Sequence, residues 1–197
     1  MRLLAVLLLA AVASGCAPSR PMLVPVSLPP VRSTHLAFSL VPLNEPGWLV
    51  LASRPDLLAL AKQGGNADET FAVQGSVMKF PEFASAAAFL AEVERYVSKP
   101  VPASRFKYVS HSIRPAPEKG DRCARAHSVF EDHAPVRHTS RTGHMILEGY
   151  FLMCTHPRNP AVAITVGFSQ RYYPGSRDPQ LEKSAETLLG SVTLVDL

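Results

Sequence analysis

Residues 123–154 read CARAHSVFEDHAPVRHTSRTGHMILEGYFLMC, and the two ends of this stretch decide the fold. Cys123–Glu131 and Met145–Cys154 are both of strand length and carry alternating side chains. In one antiparallel register Glu131 faces Ile146, Phe130 faces Leu147, Ala126 faces Phe151 and Cys123 faces Cys154. That register gathers Ala124, Ala126, Ser128, Phe130, Leu147, Gly149, Phe151 and Met153 on a single face, small or apolar throughout. A slip of one residue would send the whole set to the other side of the sheet. The spacing therefore predicts a hairpin.

Outward from this hairpin the chain repeats the same grammar. Trp48–Ser53, Thr70–Phe80, Arg105–Ile113 and Val162–Arg171 read as further strands. The segment SRPDLLALAKQGG, 53–65, admits a short helix capped by Ser53 or a turn followed by a strand; the meander is preferred. SAAAFLAEVERYVS, 85–98, predicts a helix: Phe89, Val93 and Val97 recur every four residues, Ser85 caps it and Pro100 ends it. Glu92, Glu94 and Arg95 then fall on its solvated side. A second helix opens at Asp178-Pro179 and presents Leu181, Ala185, Leu188 and Leu189 up to Gly190. The expected fold is α+β, a single antiparallel sheet of about five to seven strands covered by two or three helices. Its element order over 47–191, a Gly-Trp first strand, a meander, a middle helix, more strands and a closing helix, resembles that of PsbP-like domains. The resemblance is one of order alone and implies no activity.

The amino terminus carries a different message. Arg2 precedes LLAVLLLAAVA, residues 3–13, an apolar run of signal-peptide length that is too short to cross a bilayer. Ala13-Ser14-Gly15-Cys16 resembles the lipobox of bacterial lipoproteins. The resemblance implies a diacylglyceryl thioether on Cys16, cleavage before it by signal peptidase II, and a lipid bilayer as the first partner. Such acylation meets the two-signal requirement for durable anchoring. Ala17, where an Asp would resemble an inner-membrane retention signal, implies outer-membrane residence facing the periplasm. Residues 17–46 hold seven prolines and no glycine, a composition that favours an extended tether; Leu36–Val41 within it is apolar enough to dock as an edge strand. The expected organisation is a signal peptide (1–15), a lipidated cysteine and tether (16–46) and a globular domain (47–197).

With Cys16 taken by lipid, Cys123 and Cys154 remain as an even pair in an oxidising compartment, and a disulfide is the default. Free buried thiols or a redox pair are the alternatives, the latter without CxxC spacing. The loop EDHAPVRHTSRTGH, 131–144, concentrates Asp132, His133, His138 and His144, all competent metal donors. Their spacing matches no zinc signature, and Arg137 and Arg141 repel a cation. The preferred reading is a solvated, pH-sensitive loop; a metal site is the alternative. Ser169 and Arg171 in FSQR, 168–171, end a strand from which they could point into a cleft, although a strand-end Arg is usually an ion-pair partner.

Over the full 197 residues, 20 Lys and Arg stand against 16 Asp and Glu, with 47% hydrophobic and 18% charged residues. These proportions exclude a disordered, collagen-like or polytopic membrane chain. Basic and acidic residues are interspersed, so no nucleic-acid surface is expected. GxSxG, HExxH, P-loop and GxGxxG motifs are absent, and no cofactor is expected. The sequence favours an envelope lipoprotein with a non-enzymatic domain that binds a protein, glycan or lipid or supports an assembly. The alternative is an envelope hydrolase or metal-handling protein built on loop 132–144.

Overall fold

A computed structural model describes residues 23–99 and 101–197; the expected signal peptide and lipidated Cys16 lie outside the described residues. The elements run β1 (Val24–Pro25), β2 (Ser33–Thr34), β3 (Phe38–Leu40), β4 (Leu49–Arg54), β5 (Leu57–Gln63), β6 (Thr70–Lys79), α1 (Ala86–Val97), β7 (Phe106–Pro115), β8 (Cys123–Asp132), β9 (Met145–His156), β10 (Asn159–Tyr172), α2 (Leu181–Ser191) and β11 (Thr193–Leu194). Eight strands form one sheet in the order β1-β4-β5-β6-β10-β9-β8-β7, and β11-β3-β2 form a small second sheet. Every pairing is antiparallel.

The fold corrects the expected sheet of five to seven strands covered by two or three helices. Strand accounts for 45% and helix for 13%, and the main sheet has eight strands with only two helices beside it. The excess has two sources. Within 53–65 the preferred meander holds rather than the helix: β5, Leu57–Gln63, adds a strand, because Leu58 and Leu60 alternate with Ala59 and Ala61 and pair with β6. The Pro-rich stretch also supplies an edge strand, since β1 pairs with β4, and Pro25 is tolerated there for want of an outer partner.

Residues 23–35, expected to stand off as part of a tether, run along the domain instead, and Leu36–Val41, expected to dock as an edge strand, docks as β3, the middle strand of the small sheet. Val26 N–H donates to Trp48 O at 2.9 Å, and Phe38, Leu40 and Leu43 are buried. The Phe38 ring lies against Gly75, where any Cβ would sit 2.5 Å from its Cζ. Glycine is required at that point.

The hairpin β8–β9 takes the expected register, from Cys123 opposite Cys154 to Asp132 opposite Met145. Thr155 N–H donates to Arg122 O at 3.0 Å. This makes the cysteines a non-hydrogen-bonded pair, where antiparallel strands bring Cα atoms closest, to about 4.5 Å. Their Cα atoms are 4.1 Å apart and their sulfurs are bonded.

Because successive side chains point to opposite faces, each strand serves two environments. On one face Phe71, Val73, Leu152, Val166 and Phe168 meet Leu181, Ala185, Leu188 and Leu189 of α2 and Phe38 and Leu40 of the small sheet. On the other, Phe80, Ala124, Met153 and Ala163 meet Phe89 and Val93 of α1. Ser85 caps α1 by accepting from Ala88 N–H at 3.2 Å, and this helix lies over β7 and β8, at one end of the sheet.

Candidate functional site

The α1 face holds a groove of about 300 Å³, at the lower end of the range for small-molecule sites. Its floor crosses four strands: Ser76 and Met78 of β6, Thr165 and Gly167 of β10, Phe151 and Met153 of β9, Ala126, Ser128 and Phe130 of β8. Val93, Tyr96 and Val97 of α1 form a wall. Of the described residues that line it, none is charged. Two glycines set its depth. A Cβ at Gly167, directly opposite Phe151, would lie 2.6 Å from the Phe151 Cδ1, and one at Gly149 would lie 2.7 Å from its Cζ. With neither present, the ring lies down on the sheet and leaves the space above it open. The Thr165 hydroxyl, in the floor, is buried without a hydrogen-bond partner.

Register carries this face onward to a charged end. Ser169, Gly149 and Ser128 form the next row, and Arg171, Leu147 and Phe130 the row after it. Arg171 stands four residues from Gly167 along β10, about 13 Å at the usual rise of a strand. Beyond Phe130, Asp132 is fully buried. Arg105 grips it with a fork, Nε to Oδ1 and Nη2 to Oδ2, both at 3.0 Å, and Ala134 N–H donates to Oδ1 at 3.2 Å. Burial pushes the Asp132 carboxyl up; the Arg105 fork, the Arg171 charge and the Ala134 amide outweigh it and hold the group below its usual range. Arg171 Nε lies 3.4 Å from Asp132 Oδ2 and is buried without a hydrogen-bond partner. Here two guanidinium groups share one carboxylate. Phe106 and Tyr108 pack edge-on to Phe130 beside this cluster, with centroids at 6.2 and 5.3 Å.

The opposite face also carries a buried acid, and it is saturated. Glu148, 5% exposed at its side chain, accepts from Arg177 Nε at 2.9 Å and Nη2 at 2.8 Å. It also accepts from Tyr172 O–H at 2.7 Å, His127 Nε2–H at 3.0 Å and Tyr150 O–H at 3.0 Å. Burial alone would raise this carboxyl; Arg177, then Tyr172, His127 and Tyr150, bring it down to about 2. Burial and the same carboxylate push the Tyr150 phenol up to about 12. The cluster pins the 173–178 connection onto β9 and leaves no donor or acceptor of Glu148 for a ligand.

The residues named for a metal are dispersed. Asp132 faces Arg105 and Arg171, while His133 donates to Glu131 Oε2 at 3.0 Å. The His133 and His144 rings stand 5.4 Å apart. His138 contributes its backbone: its N–H and that of Thr139 donate to Asp68 Oδ1, and the Thr139 and Tyr173 hydroxyls donate to Asp68 Oδ2. Among the described residues, no three His, Cys, Asp or Glu side chains gather as a metal ion requires. The loop is exposed at its tip yet docked at its root. The Thr139 hydroxyl leads the contacts that hold the Asp68 carboxyl far below its usual range, against the effect of burial.

No protein-family model matches the chain, and no curated protein matches it either. What sequence reasoning missed is the groove. Its signal was present in the hairpin register, which already put Gly149, Phe151 and Ser128 on one face; the partner glycine, Gly167, comes from β10, whose register the sequence leaves open.

Proposed function

We propose that this chain is an envelope lipoprotein whose domain holds one aliphatic chain in the α1-face groove. The lipobox-like Ala13–Cys16 supports the anchor. The observation that carries the binding role is the uncharged groove kept open by Gly149 and Gly167. A peptide is the poorer occupant. The floor is made of side chains from interior strands whose backbone groups are committed to ladders, so a peptide lying there would bury unpaired amides. An alkyl chain has no such groups, and burying each methylene contributes about 0.8 kcal/mol.

The test is a titration of the mature domain with Nile red, followed by competition with dodecanol. Saturable one-to-one binding that dodecanol displaces, and that Gly167→Ala abolishes by lifting the Phe151 ring, supports the reading. Binding that does not saturate, or that Gly167→Ala leaves intact, refutes it. A concentration-dependent dimer that excludes the dye would replace the ligand with a second copy of this chain. The anchor is tested separately by metabolic palmitate labelling, which Cys16→Ser should abolish.

A further inference from the structure

Arg171 stands two rows beyond Gly167 on the same face, past the residues that line the groove itself. Arg105 has spent its fork on Asp132. Arg171 meets the same carboxylate only at 3.4 Å, with an Nε that lacks a hydrogen-bond partner and a side chain 24% exposed. The charged groups acting on Arg171 are Asp132 and Arg105, so this end of the face carries one positive charge in excess. Between it and Phe151 lies a row of small residues, Ser169, Gly149 and Ser128, with the Phe151 ring lying flat over Gly149 as the surface a chain would cross.

We infer that the occupant of the groove is a fatty acid, its tail on Phe151 and Met153 and its carboxylate on Arg171. This rests on the groove being the binding site. From the Thr165 row to the Arg171 row is six residues, about 20 Å of strand; one leaflet of bilayer hydrocarbon, the depth of a single acyl tail, is about 15 Å. The remaining length accommodates the head group. A volume of about 300 Å³ suits one tail, which favours a free fatty acid over a two-chain lipid. The guanidinium fork matches a carboxylate in plane and charge.

Dodecanoate and dodecanol, below the micelle threshold of the acid and at pH 8, share a tail and differ in the head. The wild-type domain should bind dodecanoate about tenfold more tightly than dodecanol, the scale of one added charged hydrogen-bonded contact. Arg171→Gln should erase that preference by weakening dodecanoate about tenfold while leaving dodecanol unchanged. Equal affinity of the wild-type protein for the two ligands overturns the inference, as does a preference that survives Arg171→Gln. If Arg171→Gln does not fold, the wild-type comparison decides alone. Should dodecanol displace Nile red normally while the acid shows no advantage, the groove stands and the head-group assignment falls. Should neither ligand bind, both fall together.

Discussion

The two faces of the main sheet are built from alternate residues of the same strands, yet they are finished differently. On the α2 face α2 and the small sheet close over Phe71, Val166 and Phe168, and the buried acid Glu148 has five hydrogen-bond contacts. On the α1 face the helix lies over β7 and β8, Phe151 lies on two glycines, the Thr165 hydroxyl is unpaired, and Arg171 shares a carboxylate that Arg105 already holds. The difference divides a single strand between two surroundings: in β9, Glu148 and Leu152 serve the closed face, Gly149 and Phe151 the open one.

The largest effect should come from breaking the closed face. Glu148→Ala takes away the acceptor shared by the buried Tyr172 hydroxyl, the half-buried Tyr150 and His127 and the exposed Arg177 and should cost about 3–4 kcal/mol, read by urea unfolding. Its acid dependence has a definite sign. The folded carboxyl sits at about 2 against an ordinary 4.5, so its contribution is complete above about pH 5 and drains away as pH falls toward 2. Glu148→Gln should flatten the stability curve in that window; an unchanged acid limb would show that Glu148 is not held ionised.

Next comes the disulfide that ties β8 to β9. The double replacement Cys123→Ser with Cys154→Ser removes a closure of 31 residues and should cost about 3 kcal/mol by restoring chain entropy to the unfolded state. Reduction of the wild-type protein should give the same loss in urea. Dodecanol affinity should persist, because the sulfurs lie on the closed face.

On the open face the balance reverses. Gly167→Ala forces the Phe151 ring upward and should cost about 1–3 kcal/mol, the usual range for overpacking, while abolishing Nile red binding. A variant that keeps binding would break the comparison, since the groove would then owe nothing to its glycines. The smallest effect is expected at the loop tip. His138→Ala leaves the backbone amide that Asp68 holds and should change stability by less than about 0.5 kcal/mol; Asp68→Ala should open the 133–144 loop to limited proteolysis.

How much of this was legible follows from distance along the chain. The hairpin was readable because a period of two, an apolar face and two cysteines all demand one register. Helix α1 was readable from local spacing and a serine cap. Strand β1 was hidden, because prolines in an edge strand and prolines in a tether have the same composition. Asp132 looked like a partner of His133 by adjacency, but it closes β8 with its side chain on the sheet face, and its ion-pair partners, Arg105 and Arg171, come from outside the hairpin. Asp68 and Thr139 are 71 residues apart, and no local pattern announces such a contact. The groove depends on Gly167 of β10 meeting Phe151 of β9, a pairing set by the full sheet.

The account's central claim is that the open face, and not the closed one, receives the ligand. Amide and arginine-side-chain NMR of the mature domain, titrated with dodecanoate to saturation, tests it directly. The expected result is saturable shifts at Gly149, Phe151, Gly167 and the Arg171 Nε–H, with Glu148 and Leu188 silent. Shifts centred on Glu148, Arg177 and α2, or none at any concentration below the micelle threshold, would contradict it.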